Sequence, residues 1–174
     1  LAEYLQGIVV ASRGIPVTLI ISLVAVTGGM IIGLFVAIAK RSKYKILRAI
    51  ATVYVDILRG TPLLVQVLIL AYGVPQLLKS AFGLQFNWEH MIIVGFIACG
   101  INSSAYMAEI IRSGLQAIDK GQTEAARSLG LSSGQTMRYI IVPQAFKIIV
   151  PALGNEFVTL IKETSILSVA GIVE

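Results

Sequence analysis

Residues 15–39 read IPVTLIISLVAVTGGMIIGLFVAIA, without a single charged side chain. A helix needs roughly 20 predominantly apolar residues to cross the hydrocarbon core of a bilayer, so this stretch spans a membrane with length to spare. The whole chain agrees. It has 174 residues, of which 56% are hydrophobic and only 13% charged, with a mean hydropathy of +0.86. That balance excludes a water-soluble domain. The formal net charge of +5 is best explained by basic loops held on the cytoplasmic side, not by a nucleic-acid surface.

The positions of the charges give an orientation. Lys40, Arg41, Lys43, Lys45 and Arg48 fall in and beside one short loop, and Arg112, Lys120, Arg127 and Arg138 in or beside another. Both are expected to face the cytoplasm. The segment 77–90 has only Lys79 as a basic residue, with Asn87, Trp88 and Glu89 near its end, the pattern of an outer loop with an interfacial aromatic. The N-terminus is therefore expected outside. Leu1 stands where a start methionine would, which suggests trimming, and Glu3 and Arg13 ahead of the first apolar run fit a cleaved signal poorly. Cys99 is the single cysteine and reads as a packing residue.

Three further spans follow. The second is expected over 46–78, too long for one straight crossing and broken or kinked at 60–62, where Gly60, Thr61 and Pro62 occur together. Asp56 and Arg59 share a face just before this break and are expected to form an ion pair there, the competing reading being a substrate contact. The third, over 91–111, carries Asn102, Tyr106 and Glu109, with Ser113 one turn further, at spacings of four, three and four. That stripe must face other helices or a polar cavity. The fourth, over 143–161, places Asn155, Glu156 and Thr159 on one face. An ionisable group at mid-span costs about 2.5 to 3.5 kcal/mol on insertion scales, so Glu156 is a functional candidate. The competing reading is a structural ion pair, with Lys147 or with another subunit. Gly29 and Gly33 form a small-xxx-small pair able to seat a neighbouring helix closely.

Between the third and fourth spans, residues 117–139 read as two short helices. Asp119 with Gln122 can cap the first, Gly130 can end it in a left-handed conformation, and Ser132 with Gln135 forms a capping box that opens the second. Such a capped, alanine-rich elbow suits docking into another protein.

Glu124-Ala125-Ala126, followed at fixed distances by Gly130, Ile140 and Val142-Pro143, resembles the EAA signature of ABC importer permeases, with Val142 in place of leucine. The runs Arg59 to Gln66, Ala105 to Ile110 and Ile118 to Gln122 are similar to the polar amino acid uptake group. The resemblance implies an all-α fold: a polytopic transmembrane helical bundle of the type I importer core, with four spans here and a fifth expected after Glu174. It implies a coupling helix in which Glu124, Ala125, Ala126 and Gly130 engage an ATP-binding subunit dimer. It also implies a second permease copy, identical or paralogous, and an extracytoplasmic solute-binding protein. ATP and magnesium would belong to the ATPase, because no Gly-x-x-x-x-Gly-Lys-Ser/Thr run is present.

For the cargo, Glu156, Asn155, Thr159, Asn102, Ser103 and Ser104 are the candidate substrate-binding residues, offering donors to a carboxylate and acceptors to an ammonium. The extra carboxylate favours arginine, lysine or histidine. No catalytic or metal-ligating set is read; Ser103 and Ser104 lack a base, with His90 at the outer edge. The alternative from another class is an ion-coupled secondary transporter, which would have no need of the elbow.

Overall fold

In a computed structural model, which describes residues 2–171, the stretch 15–39 lies within one long helix, α1 (Ala2–Lys40). Its glycine pair seats a helix of the same chain. A Cβ on Gly29 would lie 2.9 Å from the Cβ of Ser103, and one on Gly33 would lie 2.7 Å from both the Met107 Cβ and the Ser104 carbonyl oxygen. These neighbours belong to α5 (Met91–Gln116). Residue numbers rise together along the seam, 29 beside 103 and 33 beside 107, so α1 and α5 run in the same direction. Small residues let the two backbones approach, the usual way helices gain packing in lipid, where no hydrophobic force drives them together.

The return path between these parallel helices differs from a single kinked span. α2 (Lys45–Gly60) is short and amphipathic, because Lys45, Arg48, Asp56 and Arg59 interrupt its apolar residues. The backbone turns extended at Thr61 and Pro62, and α3 (Leu63–Leu68) restarts the helix. Only from Leu63 to Phe82 is this region long and apolar enough to cross a bilayer. A π-helical turn at Ile69–Gly73 joins α3 to α4 (Val74–Phe82). Gly83 ends α4 with φ of 67°, and the Leu84 N–H returns to the Leu78 carbonyl at 3.2 Å. The loop after α4 then folds back, with the Trp88 indole N–H donating to the Leu70 carbonyl at 3.0 Å.

After α5 come α6 (Lys120–Ser128) and α7 (Ser133–Thr136), a second π turn at Met137–Ile141, α8 (Val142–Glu163) and α9 (Ile166–Val169). Both π turns precede a proline by two residues, Pro75 and Pro143. A proline ring clashes with the carbonyl four residues back, here at Ala71 and Tyr139, and a widened turn relieves that clash without breaking the helix. Among the described residues four stretches can span a membrane: Gly14–Lys40, Leu63–Phe82, Met91–Gln116 and Ser133–Ser168. The expected fifth helix lies outside the described residues. One buried cluster joins α1, α3, α5 and the end of α8 around Ile21, Val67, Val94 and Leu160; a second, around Val55, Ala105 and Ala108, joins α1, α2 and α5.

Candidate functional site

The elbow forms as a capped unit. Asp119 caps α6 by accepting the Gly121 N–H at 2.6 Å. The expected reciprocal partner behaves differently: Gln122 sends its side chain to α8, where its carbonyl oxygen accepts from the Gln144 amide at 3.2 Å. The bond that a capping box would have spent within α6 therefore pins α6 against the next span. At the other end Gly130 takes φ of 86°. The Leu131 N–H reaches the Ala126 carbonyl at 3.2 Å and the Gly130 N–H the Arg127 carbonyl at 3.0 Å, closing a Schellman motif. Arg127 donates to the Leu131 carbonyl at 2.8 Å, which stiffens the same turn. Ser132 and Gln135 form both halves of their capping box.

Of the signature residues, Ala126 is buried against the chain, whereas Glu124, Ala125 and Gly130 are exposed. Leu129 is 82% exposed beside them. Sequence reasoning missed Leu129; the available signal was an apolar residue at the last turn of an otherwise polar, capped helix. The elbow thus presents Ala125, Leu129 and Gly130 outward beside the charged Glu124 and Arg127, on a turn of fixed geometry.

From Ser133 the chain stays helical through the π turn to Glu163. At 1.5 Å per residue, Glu156 stands roughly 35 Å along the same rod from the elbow. Glu156 is half-buried, and Asn155 and Thr159 are exposed, the Thr159 hydroxyl donating to the Asn155 carbonyl at 3.0 Å. No ion pair among the described residues includes Glu156 or Lys147. The two are nine residues apart on one helix, roughly 13 Å, too far to meet.

Asn102, Ser103 and Ser104 do not join this group. Asn102 donates to the Gln66 side-chain oxygen at 3.2 Å, and Ser104 shares a 2.6 Å hydrogen bond with the Tyr54 hydroxyl. Ser103 is fully buried against Gly29, its hydroxyl without a partner. In this conformation all three tie α5 to its neighbours.

Glu109 of α5, by contrast, is fully engaged. Lys40 at the end of α1 lies 3.3 Å away, Arg112 one turn on binds both of its oxygens, and Arg59 of α2 approaches to 4.0 Å. This corrects the expected Asp56–Arg59 pair: the last turn of α2 faces α5, so Arg59 sits near Glu109 and 5.3 Å from the centre of the Tyr106 ring. The Glu109–Arg112 spacing was visible in the sequence, but Lys40, 69 residues away, was not.

The family model for the inner membrane component of binding-protein-dependent transport systems matches residues 29–172. The GlnP protein of Rickettsia prowazekii (strain Madrid E), named for glutamine transport, is 42% identical over 98% of this chain and 75% of its own length. The arginine transport system permease ArtQ of Bacillus subtilis (strain 168) is 42% identical over 92% of this chain and 70% of its own. A crystal structure of an amino acid ABC transporter with histidines superposes with a TM-score of 0.86 at 45% identity, covering 98% of this chain and 76% of that one. These matches set aside the ion-coupled carrier. With an all-helical bundle, four apolar spans and a capped elbow between two of them, the chain belongs to the family of binding-protein-dependent transport system inner membrane components, the membrane permeases of ABC importers.

Proposed function

We propose that this permease imports polar amino acids across a bacterial cytoplasmic membrane, with cationic ones as preferred cargo, and that its elbow is the handle on which an ATP-binding subunit acts. The carrying observation is the continuous helix that connects the capped elbow to Glu156. A displacement imposed at Ala125, Leu129 and Gly130 would be transmitted along that rod as rigid-body motion to the polar face of Asn155, Glu156 and Thr159. Relatives named for glutamine and arginine transport, and a structural neighbour with histidines, support an amino acid cargo. A half-buried carboxylate with no ion pair among the described residues favours a substrate that brings a second positive charge.

In this reading the N-terminus is extracytoplasmic, and the basic loop 41–44 and the segment 117–139 face the cytoplasm. A dimer of ATP-binding subunits holds ATP and magnesium, a solute-binding protein delivers the cargo, and a second permease copy completes the pathway.

The test is Gly130→Val in the reassembled transporter. A β-branched residue at φ of 86° is strained, so the turn must change shape while the spans, remote from it, still insert. Expected is ATP hydrolysis no longer stimulated by substrate, with uptake lost and membrane level retained. Normal stimulation together with normal uptake would overturn the handle.

A further inference from the structure

A long groove opens between α1, α2 and the cytoplasm-proximal ends of α5 and the second π turn. Its volume is about 1120 Å³, and Phe35, Ile38, Leu47, Ile50, Leu115 and Met137 line much of it. A zwitterionic amino acid needs convergent donors and acceptors, and among the described residues the only polar side chains along this groove are Arg41, Ser42 and Tyr54. It is therefore no site for the transported amino acid. Its character is that of a hydrocarbon slot.

The rim supplies the second half of the description. Arg41 lines the mouth, and Lys43, Lys45 and Arg48 follow on the same loop and the first turn of α2, all exposed. Among the described residues no acidic side chain pairs with any of the four. The adjacent Lys40 shows the contrast, since Glu109 neutralises it. Arg41 on the lining, with three further exposed cations in the next seven residues of the chain, sets the apolar slot in a basic neighbourhood that matches an amphiphile with an anionic head. Basic pockets between spans at the cytoplasmic surface select anionic headgroups in this way, guanidinium meeting phosphate in a two-pronged contact.

We propose that this groove binds an anionic phospholipid from the leaflet that meets the loop 41–44, an acyl chain lying between Phe35 and Ile50 and the phosphate at Arg41, with Lys43, Lys45 and Arg48 adding charge. The site is independent of the cargo assignment. It would brace the junction of α1 and α2, where the amphipathic helix leaves the membrane-crossing one.

The test is native mass spectrometry of the transporter purified with its ATP-binding subunits, titrated with phosphatidylglycerol or with phosphatidylcholine. The wild type should retain phosphatidylglycerol about tenfold more strongly, a factor that one or two basic contacts supply. Combined Arg41→Gln, Lys45→Gln and Arg48→Gln should abolish that preference. Ile50→Trp, which fills the slot and leaves the charges in place, should reduce retention of both lipids. Equal retention of the two lipids by the wild type, or a preference that survives the triple substitution, would overturn the proposal. So would a reconstruction in phosphatidylglycerol nanodiscs that shows the groove filled by a helix of the second permease copy.

Discussion

Glu109 of α5 and Glu156 of α8 each lie within an apolar span, yet the fold treats them in opposite ways. In the most apolar part of α5, 56% of residues are buried within the chain, against 11% in the most apolar part of the span that contains α8. Glu109 on α5 is enclosed by Lys40, Arg112 and Arg59, whereas Glu156 on α8 has no ion pair among the described residues. A carboxylate satisfied by its own chain is part of the scaffold; one left without a cation on a helix that buries little of itself is available to something outside the chain. The same rule separates two sets of glycines: Gly29 and Gly33 of α1 are packed against α5, while Gly154 of α8 meets nothing within 4 Å.

Four substitutions can break or sharpen this contrast. The largest stability effect is expected from Gly33→Ala, because the new methyl group would meet the Ser104 carbonyl oxygen and the Ala108 amide nitrogen at 2.7 and 3.0 Å. Backbone cannot rotate aside, so the penalty belongs at the upper end of overpacking, about 3 kcal/mol, read as lowered thermal stability of the purified subunit. Glu109→Gln comes next at about 2 kcal/mol, since it leaves Lys40 and Arg112 without their anion; the residual exposure of the site keeps it below the loss of a fully buried pair. Double-mutant cycles pairing Glu109 with Lys40 and with Arg112 should show coupling.

Glu156→Gln should leave stability within about 0.5 kcal/mol, while uptake of arginine or lysine falls about tenfold, equivalent to 1.4 kcal/mol, and glutamine uptake changes little. Equal uptake of all of them by the variant would remove Glu156 from the cargo site. Gly154→Ala is the mildest, neutral or stabilising by up to about 1 kcal/mol through helix propensity, as a denaturation series would show. A marked loss would mean that α8 is packed more closely than α5.

Much of this contrast was readable in the sequence where the determinants are local. The span 15–39, the left-handed Gly130 and the Ser132–Gln135 box each depend on residues a few positions apart, and periodicity and capping rules operate at that range. The break at Thr61 and Pro62 was legible for the same reason, but the polar face of α2 shortens the crossing that follows to Leu63–Phe82. Long-range partners were not legible. Lys40 and Glu109 are 69 residues apart, and Tyr54 and Ser104 are 50. Nothing in the spacing of Asn102, Tyr106 and Glu109 distinguishes a stripe that binds neighbouring helices from one that lines a pathway. Asn102, Ser103 and Ser104 therefore read as candidates for cargo binding, and their burial against Gln66, Gly29 and Tyr54 was beyond what spacing shows. The π turns were likewise hidden, although Pro75 and Pro143 were their sequence markers.

Coupling as proposed requires the exposed face of the elbow to meet an ATP-binding subunit in the cytoplasm. The direct measurement is a thiol cross-link from Leu129→Cys in the assembled transporter, with Cys99 buried and out of reach. The expected product joins this chain to the ATP-binding subunit, in a yield that changes on addition of ATP. Cross-links confined to the permease itself, or modification of the new cysteine in intact cells by a membrane-impermeant reagent, would contradict it.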